Sequence, residues 1–131
     1  VLLAKFPYLA AWGARRRELA ALYSAAFAGV AGVTPPPVDP ANEHIFHQYT
    51  IRAERREALL AHLKSRGIGH KVYYPLALHL QPCFEYLGVR AGALPITERA
   101  TAEVVSLPIY PELTSAQTDA VIAAVREFYQ G

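Results

Sequence analysis

The 131 residues suffice for one domain, and a chain of this size buries about two thirds of its unfolded surface without needing covalent staples. Thirteen basic residues spread among eleven acidic ones leave a formal charge of +2, which points away from a nucleic-acid footprint and from a polybasic membrane anchor. The single cysteine, Cys83, excludes an internal disulfide and suits a reducing compartment.

From Leu9 to about Ala28, the residues Leu9, Trp12, Leu19, Leu22, Tyr23, Ala26 and Phe27 recur at helical spacing, while Arg15, Arg16, Arg17 and Glu18 take other faces. The spacing predicts a long amphipathic helix of about 30 Å, with the arginine run as a solvated face. Gly29 and Gly32 end it, and Val33 to Pro40, with its four prolines, is expected to be an extended surface connector. His44 to Ala53 alternates, with Phe46, Gln48, Thr50 and Arg52 on one side and Ile45, His47, Tyr49 and Ile51 on the other. That predicts a strand, and aromatics on both faces make it a central one. Glu54 to Arg66 carries Leu59, Leu60 and Leu63 on one stripe of a surface helix, with Gly67 and Ile68 placed for its closing turn.

A second strand is expected over His70 to Tyr74, where Pro75 holds Tyr74 extended. Gln81 and Pro82 then open a short helix that ends at Gly88. Pro95 starts a helix to about Val105 with Glu98, Arg99 and Glu103 exposed, and Leu107 to Tyr110 reads as a third strand whose Pro108 argues for an edge or a bulge. Thr114 and Gln117 have capping-box spacing, and Ala120, Val121, Ala124, Val125 and Phe128 form the buried stripe of a closing helix. The expected fold is α/β: a two-layer domain with a short sheet of three strands or so, covered by helices and preceded by the long helix.

The run VYYPLALHLQPCFEYLG, Val72 to Gly88, concentrates polar-tipped aromatics, a histidine and prolines in short non-helical stretches. Such a corner lets side chains from different elements converge on a ligand, although Tyr73, Tyr74 and His79 also fit as packing groups with satisfied tips. There is no glycine-rich phosphate loop, no paired-cysteine zinc pattern and no nucleophile elbow. His44 and His47 fall on opposite faces of the expected strand, so no metal site is expected. Cys83 is expected to be buried and inert, and Lys5, Lys64 and Lys71 to be surface groups without the apolar pocket a Schiff-base lysine needs. No stretch is apolar enough to span a bilayer and no signal-peptide order opens the chain, so a soluble, cytoplasmic protein is expected. With no methionine and with Val1 at the approach to a helix, the chain is expected to be a piece of a longer protein.

At HQYTIR (His47 to Arg52), YYPLALHLQP (Tyr73 to Pro82), Leu94 and Pro95, and SLPIYPELT (Ser106 to Thr114), the sequence resembles the carboxy-terminal part of the DegT/DnrJ/EryC1/StrS sugar aminotransferases. The opening helix, with its arginines and Tyr23, is similar to the helix that leads out of that family's large domain. The resemblance covers residues 1–131: a connecting helix over 1–30 and the α/β body of the small domain over 44–131. It implies a fold type I enzyme dependent on pyridoxal 5'-phosphate that moves an amino group from glutamate onto a nucleotide-linked keto sugar. It further implies a homodimer with shared active sites.

By the same resemblance, the Schiff-base lysine and most cofactor contacts belong to a large domain that this sequence lacks, so the segment alone is expected to be inactive and to hold no catalytic residue. Tyr73, Tyr74 and His79 would bind substrate, with His47, Gln48 and Tyr49 as a weaker case because a central strand can simply be core. Ala77 stands where the family usually has proline, which loosens the turn presenting His79. The SLPIYPELT block is expected to hold the sheet and cap the last helix from behind. Two alternatives remain at this point: a free-standing α/β small-ligand or regulatory module, and a purely structural dimerisation domain.

Overall fold

Tyr49–Ala53 forms the middle strand, β2, of a three-stranded antiparallel sheet in a computed structural model that describes residues 2–131. Val1, read above as the approach to a helix, lies outside the described residues. Tyr49, Ile51 and Ala53 are buried while Arg52 faces solvent, so the period-two phase and the central position follow the sequence. The strand starts at Tyr49 rather than His44, because Phe46 turns to a φ of 46° and donates its amide to His44 Nδ1 at 2.9 Å. A side chain has taken the donor that a ladder would have used.

The partners of β2 are not those expected. One is β1, Val33–Thr34, at the start of the proline-rich connector, in register Val33↔Ala53 and Thr34↔Arg52. The other is β3, Val104–Leu107, in register Tyr49↔Leu107 to Arg52↔Val104. It begins inside the region expected to be helical and ends before Pro108, which has no amide to continue a ladder. Val105, Ser106 and Leu107 are all buried, so β3 lacks the alternation by which a half-exposed strand is recognised. His70 to Tyr74 is not a strand: only Lys71 bridges, exchanging both backbone bonds with Ser106 at 3.1 and 2.7 Å. Beyond it the chain leaves the sheet for an arch with 3-10 turns at Leu78–Leu80 and Pro82–Leu87, the latter closed by Gly88 at φ 67°.

Among the described residues five α-helices complete the fold: α1 (Leu2–Lys5), α2 (Leu9–Phe27), α3 (Arg56–Ser65), α4 (Pro95–Glu103) and α5 (Ser115–Gln130). α2 buries Leu19, Ala20, Tyr23 and Phe27, yet Leu9 and Leu22 of the expected stripe are exposed, as are Leu2, Leu3 and Phe6 ahead of them. Only the second half of α2 therefore belongs to the core. α3 ends as its sequence indicates, with the Ile68 amide donating to Leu63 at 2.9 Å and that of Gly67 to Lys64 at 3.0 Å. At α5 the Thr114 and Gln117 capping box is complete, and Thr118, Val121, Ala124 and Val125 are buried, while Ala120 is exposed and Phe128 half-buried. α2 and α3 both pack on α5, and these helices close over the sheet around one core that includes Tyr23, Tyr49, Ile51, Leu63, Val105 and Val125. This is the expected two-layer architecture, with different strands.

Candidate functional site

Where the β2–β3 ladder stops at Tyr49↔Leu107, the backbones separate. Into the gap opens a cleft of about 440 Å³, lined by His47 and Gln48 beyond β2, by Ser106 to Ile109 along and beyond β3, and by Gly69 to Lys71 and Tyr73 on the far edge. Lys71 supplies an ammonium, His47 and His70 imidazoles, Gln48 an amide and Tyr73 a phenol, and among the described residues no carboxylate lines the cleft. Those groups mostly donate hydrogen bonds, so the cleft suits hydroxyls and oxyanions. Nδ1 of His70 donates to the Ile68 carbonyl at 3.0 Å, which leaves Nε2 to accept when the ring is neutral and to donate when it is protonated.

The residues singled out in the sequence do not converge on one point. Tyr73, half exposed, lines the cleft beside His47 and Gln48. Tyr74 is 60 % exposed on the outside of the arch and is not part of the cleft lining. His79 lies farther along the arch, its side chain only 8 % exposed, and its Nε2 pairs at 3.1 Å with Glu98. Its surroundings are thus not simply apolar. Ala77, at the turn before His79, is buried. Tyr49 is wholly buried and shares a 2.9 Å hydrogen bond with Ser24, which places it in the core.

Glu98, expected as an exposed helix residue, instead gathers the arch. Its carboxylate accepts from the amides of Gly92 at 2.9 Å and Leu94 at 3.2 Å as well as from His79. The Gly92 bond foremost, then those of Leu94 and His79, hold its carboxyl below the ordinary range against the opposing effect of desolvation. Glu103 is also engaged, accepting from Arg52 Nε at 2.7 Å. Cys83 is exposed rather than buried, because the 3-10 turn after Pro82 rides on the surface of the arch. Lys5, Lys64 and Lys71 are all exposed.

The arginine run is the larger departure. Instead of a solvated face, Arg15 donates to the Leu113 carbonyl at 3.1 Å, Arg16 to Ile109 at 2.8 Å, and Arg17 pairs with Glu43 at 2.9 Å. One residue before Ile109, the Pro108 carbonyl accepts from the buried Tyr23 hydroxyl at 2.9 Å. The SLPIYPELT segment is thus itself a wall of the cleft, with α2 holding it from behind. Burial pushes the phenols of Tyr23 and Tyr49 above their ordinary range. His70, Lys71 and the arginines are what sequence reasoning missed, and the only local signal was HKV leading into the tyrosine pair.

Residues 1–126 match the DegT/DnrJ/EryC1/StrS aminotransferase family. The chain belongs to that family. Among curated relatives it is 47% identical over 133 residues to a pleiotropic regulatory protein of Geobacillus stearothermophilus, covering 99% of this chain and 36% of that protein. It is 39% identical over 128 residues to the dTDP-3-amino-3,4,6-trideoxy-alpha-D-glucose transaminase of Streptomyces venezuelae, covering 98% and 34%. The crystal structure of S. venezuelae DesV in complex with a ketimine intermediate superposes with a TM-score of 0.97 at 38% identity, over 100% of this chain and 35% of that one. A DegT/DnrJ/EryC1/StrS aminotransferase from Brucella abortus gives 0.92 at 34% identity, again over 100% and 35%. The chain spans about a third of the length of the curated relatives it matches.

This family depends on pyridoxal phosphate, which needs a lysine for the Schiff base and is commonly held with an acid at the pyridine nitrogen. The cleft offers an exposed Lys71 and no carboxylate, so these residues do not by themselves fit the cofactor. Among the described residues no three histidine, cysteine or acidic side chains gather as a metal site, and no helix is long and apolar enough to cross a membrane.

Proposed function

We propose that residues 1–131 are the carboxy-terminal small domain of a pyridoxal-phosphate aminotransferase that transfers an amino group from glutamate to a nucleotide-linked keto sugar. The observation that carries this reading is the superposition of the whole chain on DesV at a TM-score of 0.97. The donor-rich cleft adds chemical support: Tyr73, Lys71, Gln48 and His47 form a wall that hydrogen-bonds sugar hydroxyls or phosphate oxygens. Tyr74, exposed next to Tyr73 and outside the cleft lining, offers its hydroxyl to the part of the substrate that extends beyond the cleft, and His79 with Glu98 fixes the arch that carries both tyrosines. The Schiff-base lysine and the cofactor come from the remainder of a longer, cytoplasmic, homodimeric polypeptide, and this segment supplies substrate-side and dimer-side surface.

Incubation of the full-length protein with glutamate and a panel of keto-sugar nucleotides, with 2-oxoglutarate as readout, tests the proposal. Turnover of one of them, and the absorbance of a lysine-bound cofactor, are expected. A full-length protein without a lysine-bound cofactor would sink the reading. The similarity to a regulatory protein favours a second one, in which the same cleft binds a small ligand without transamination. Saturable sugar-nucleotide binding with no amino transfer is the outcome that selects it.

A further inference from the structure

We propose that Arg16 is a positioning residue for the cleft, acting through the backbone of two of its walls and touching no ligand. The inference rests on reading the cleft as the sugar-nucleotide wall. Past the last ladder pair, Tyr49↔Leu107, the chain ends that form the cleft have no strand to bond to. The part-buried carbonyls there, those of Phe46 and Ile109, need donors from elsewhere, because an unpaired polar group away from water is costly. Arg16 supplies them. Its Nη1 lies 2.8 Å from the Ile109 carbonyl and makes longer contacts of 3.4 Å with those of Phe46 and His47. Ile109 and His47 belong to opposite segments of the cleft lining, so one cation bridges the divergence from behind.

Two more side chains of α2 reach the same segment. Tyr23, seven residues on and so on nearly the same helical face, donates to Pro108, the carbonyl next to that of Ile109. Arg15 reaches Leu113. Among these, Arg16 alone contacts both sides, and its charge strengthens each bond. A lysine at position 16 offers a compact point charge on a shorter stem, which meets one carbonyl and leaves the other side free. Arg17 next to it pairs with Glu43, outside the cleft lining, and serves as the control.

The test uses the full-length protein with Arg16→Gln, Arg16→Lys and Arg17→Gln. Arg16→Gln is expected to raise KM for the sugar nucleotide about tenfold or more while kcat stays within about twofold. Arg16→Lys restores part of the loss and Arg17→Gln matches the parent. Hydrogen exchange in Arg16→Gln accelerates at residues 46–49 and 106–110 and not along α5. An unchanged KM in Arg16→Gln, or exchange rising alike across the whole domain, overturns the proposal. If the parent protein turns over no sugar nucleotide, the proposed function fails separately. The brace then stands on local acceleration at 46–49 and 106–110, and falls without it.

Discussion

Replacing Tyr23 with phenylalanine removes a single oxygen from the junction between core and cleft. The ring is fully buried, stacked on Phe27 at 5.9 Å and tilted against Tyr49 at 5.1 Å, and phenylalanine keeps both contacts. What is lost is the 2.9 Å bond to the Pro108 carbonyl, which lies past the end of the ladder. A net hydrogen bond is worth about 1 kcal/mol, and an acceptor left unpaired raises the cost to about 1–3 kcal/mol. For a chain of this length each kcal/mol moves the midpoint by about 4 °C, so Tm should fall by about 8 °C for a loss of about 2 kcal/mol. Alkaline pH gives an independent check. Burial raises the Tyr23 phenol from its ordinary 10.0, so the native state keeps a proton that the unfolded chain gives up. Its contribution is therefore complete below that ordinary value and declines as pH rises above it. Tyr23→Phe should lose stability less steeply than the parent above pH 10, with Tyr49 accounting for part of the remaining slope. Thermal unfolding followed by circular dichroism at neutral and alkaline pH measures both effects. A Tm within about 1 °C of the parent at neutral pH refutes the role given to the hydroxyl.

Gly32 sits at φ +85°, and a Cβ there would lie 2.7 Å from Tyr129 Cε1, on a ring tethered by its hydroxyl bond to the Glu54 carbonyl. Gly32→Ala should therefore cost about 1–3 kcal/mol, whereas Gly29→Ala, with open space around it, should cost about 1 kcal/mol in a denaturant titration. Thr114→Ala breaks the capping box and should lose about 1 kcal/mol, with faster amide exchange at Gln117 and Thr118. Because the Glu98 carboxyl is depressed from 4.5, its hold on the arch is present above that pH and is lost as pH falls through the lowered folded value. Exchange at Gly92 and Leu94, corrected for intrinsic rates, should rise in acid for the parent and be high and insensitive to pH in Glu98→Gln.

The elements legible in the sequence are those whose signals are local. The Gly67–Ile68 stop, the Thr114–Gln117 cap and the phase of Tyr49 to Ala53 each depend on residues within a few positions of one another, and each is found as read. Strand limits depend on partners instead. His44 to Gln48 alternates like a strand, but a histidine side chain two residues away captures the Phe46 amide, while β3 is buried from Val105 to Leu107 and offers no alternation to detect. The same distinction separates the aromatic arch from the groups that shape the cleft. Tyr73 is conspicuous because its residue type and its proline neighbour announce it. Arg16 is not, because its partners are backbone carbonyls 93, 31 and 30 positions away, and a carbonyl has no residue type to read. A run of arginines on a helix looks solvated unless the fold delivers acceptors to it. Here the acceptors arise because a two-stranded ladder stops short, and the same stop opens the cleft. The site and its brace therefore have one structural cause, and strand pairing across more than fifty residues is the least local property a sequence encodes.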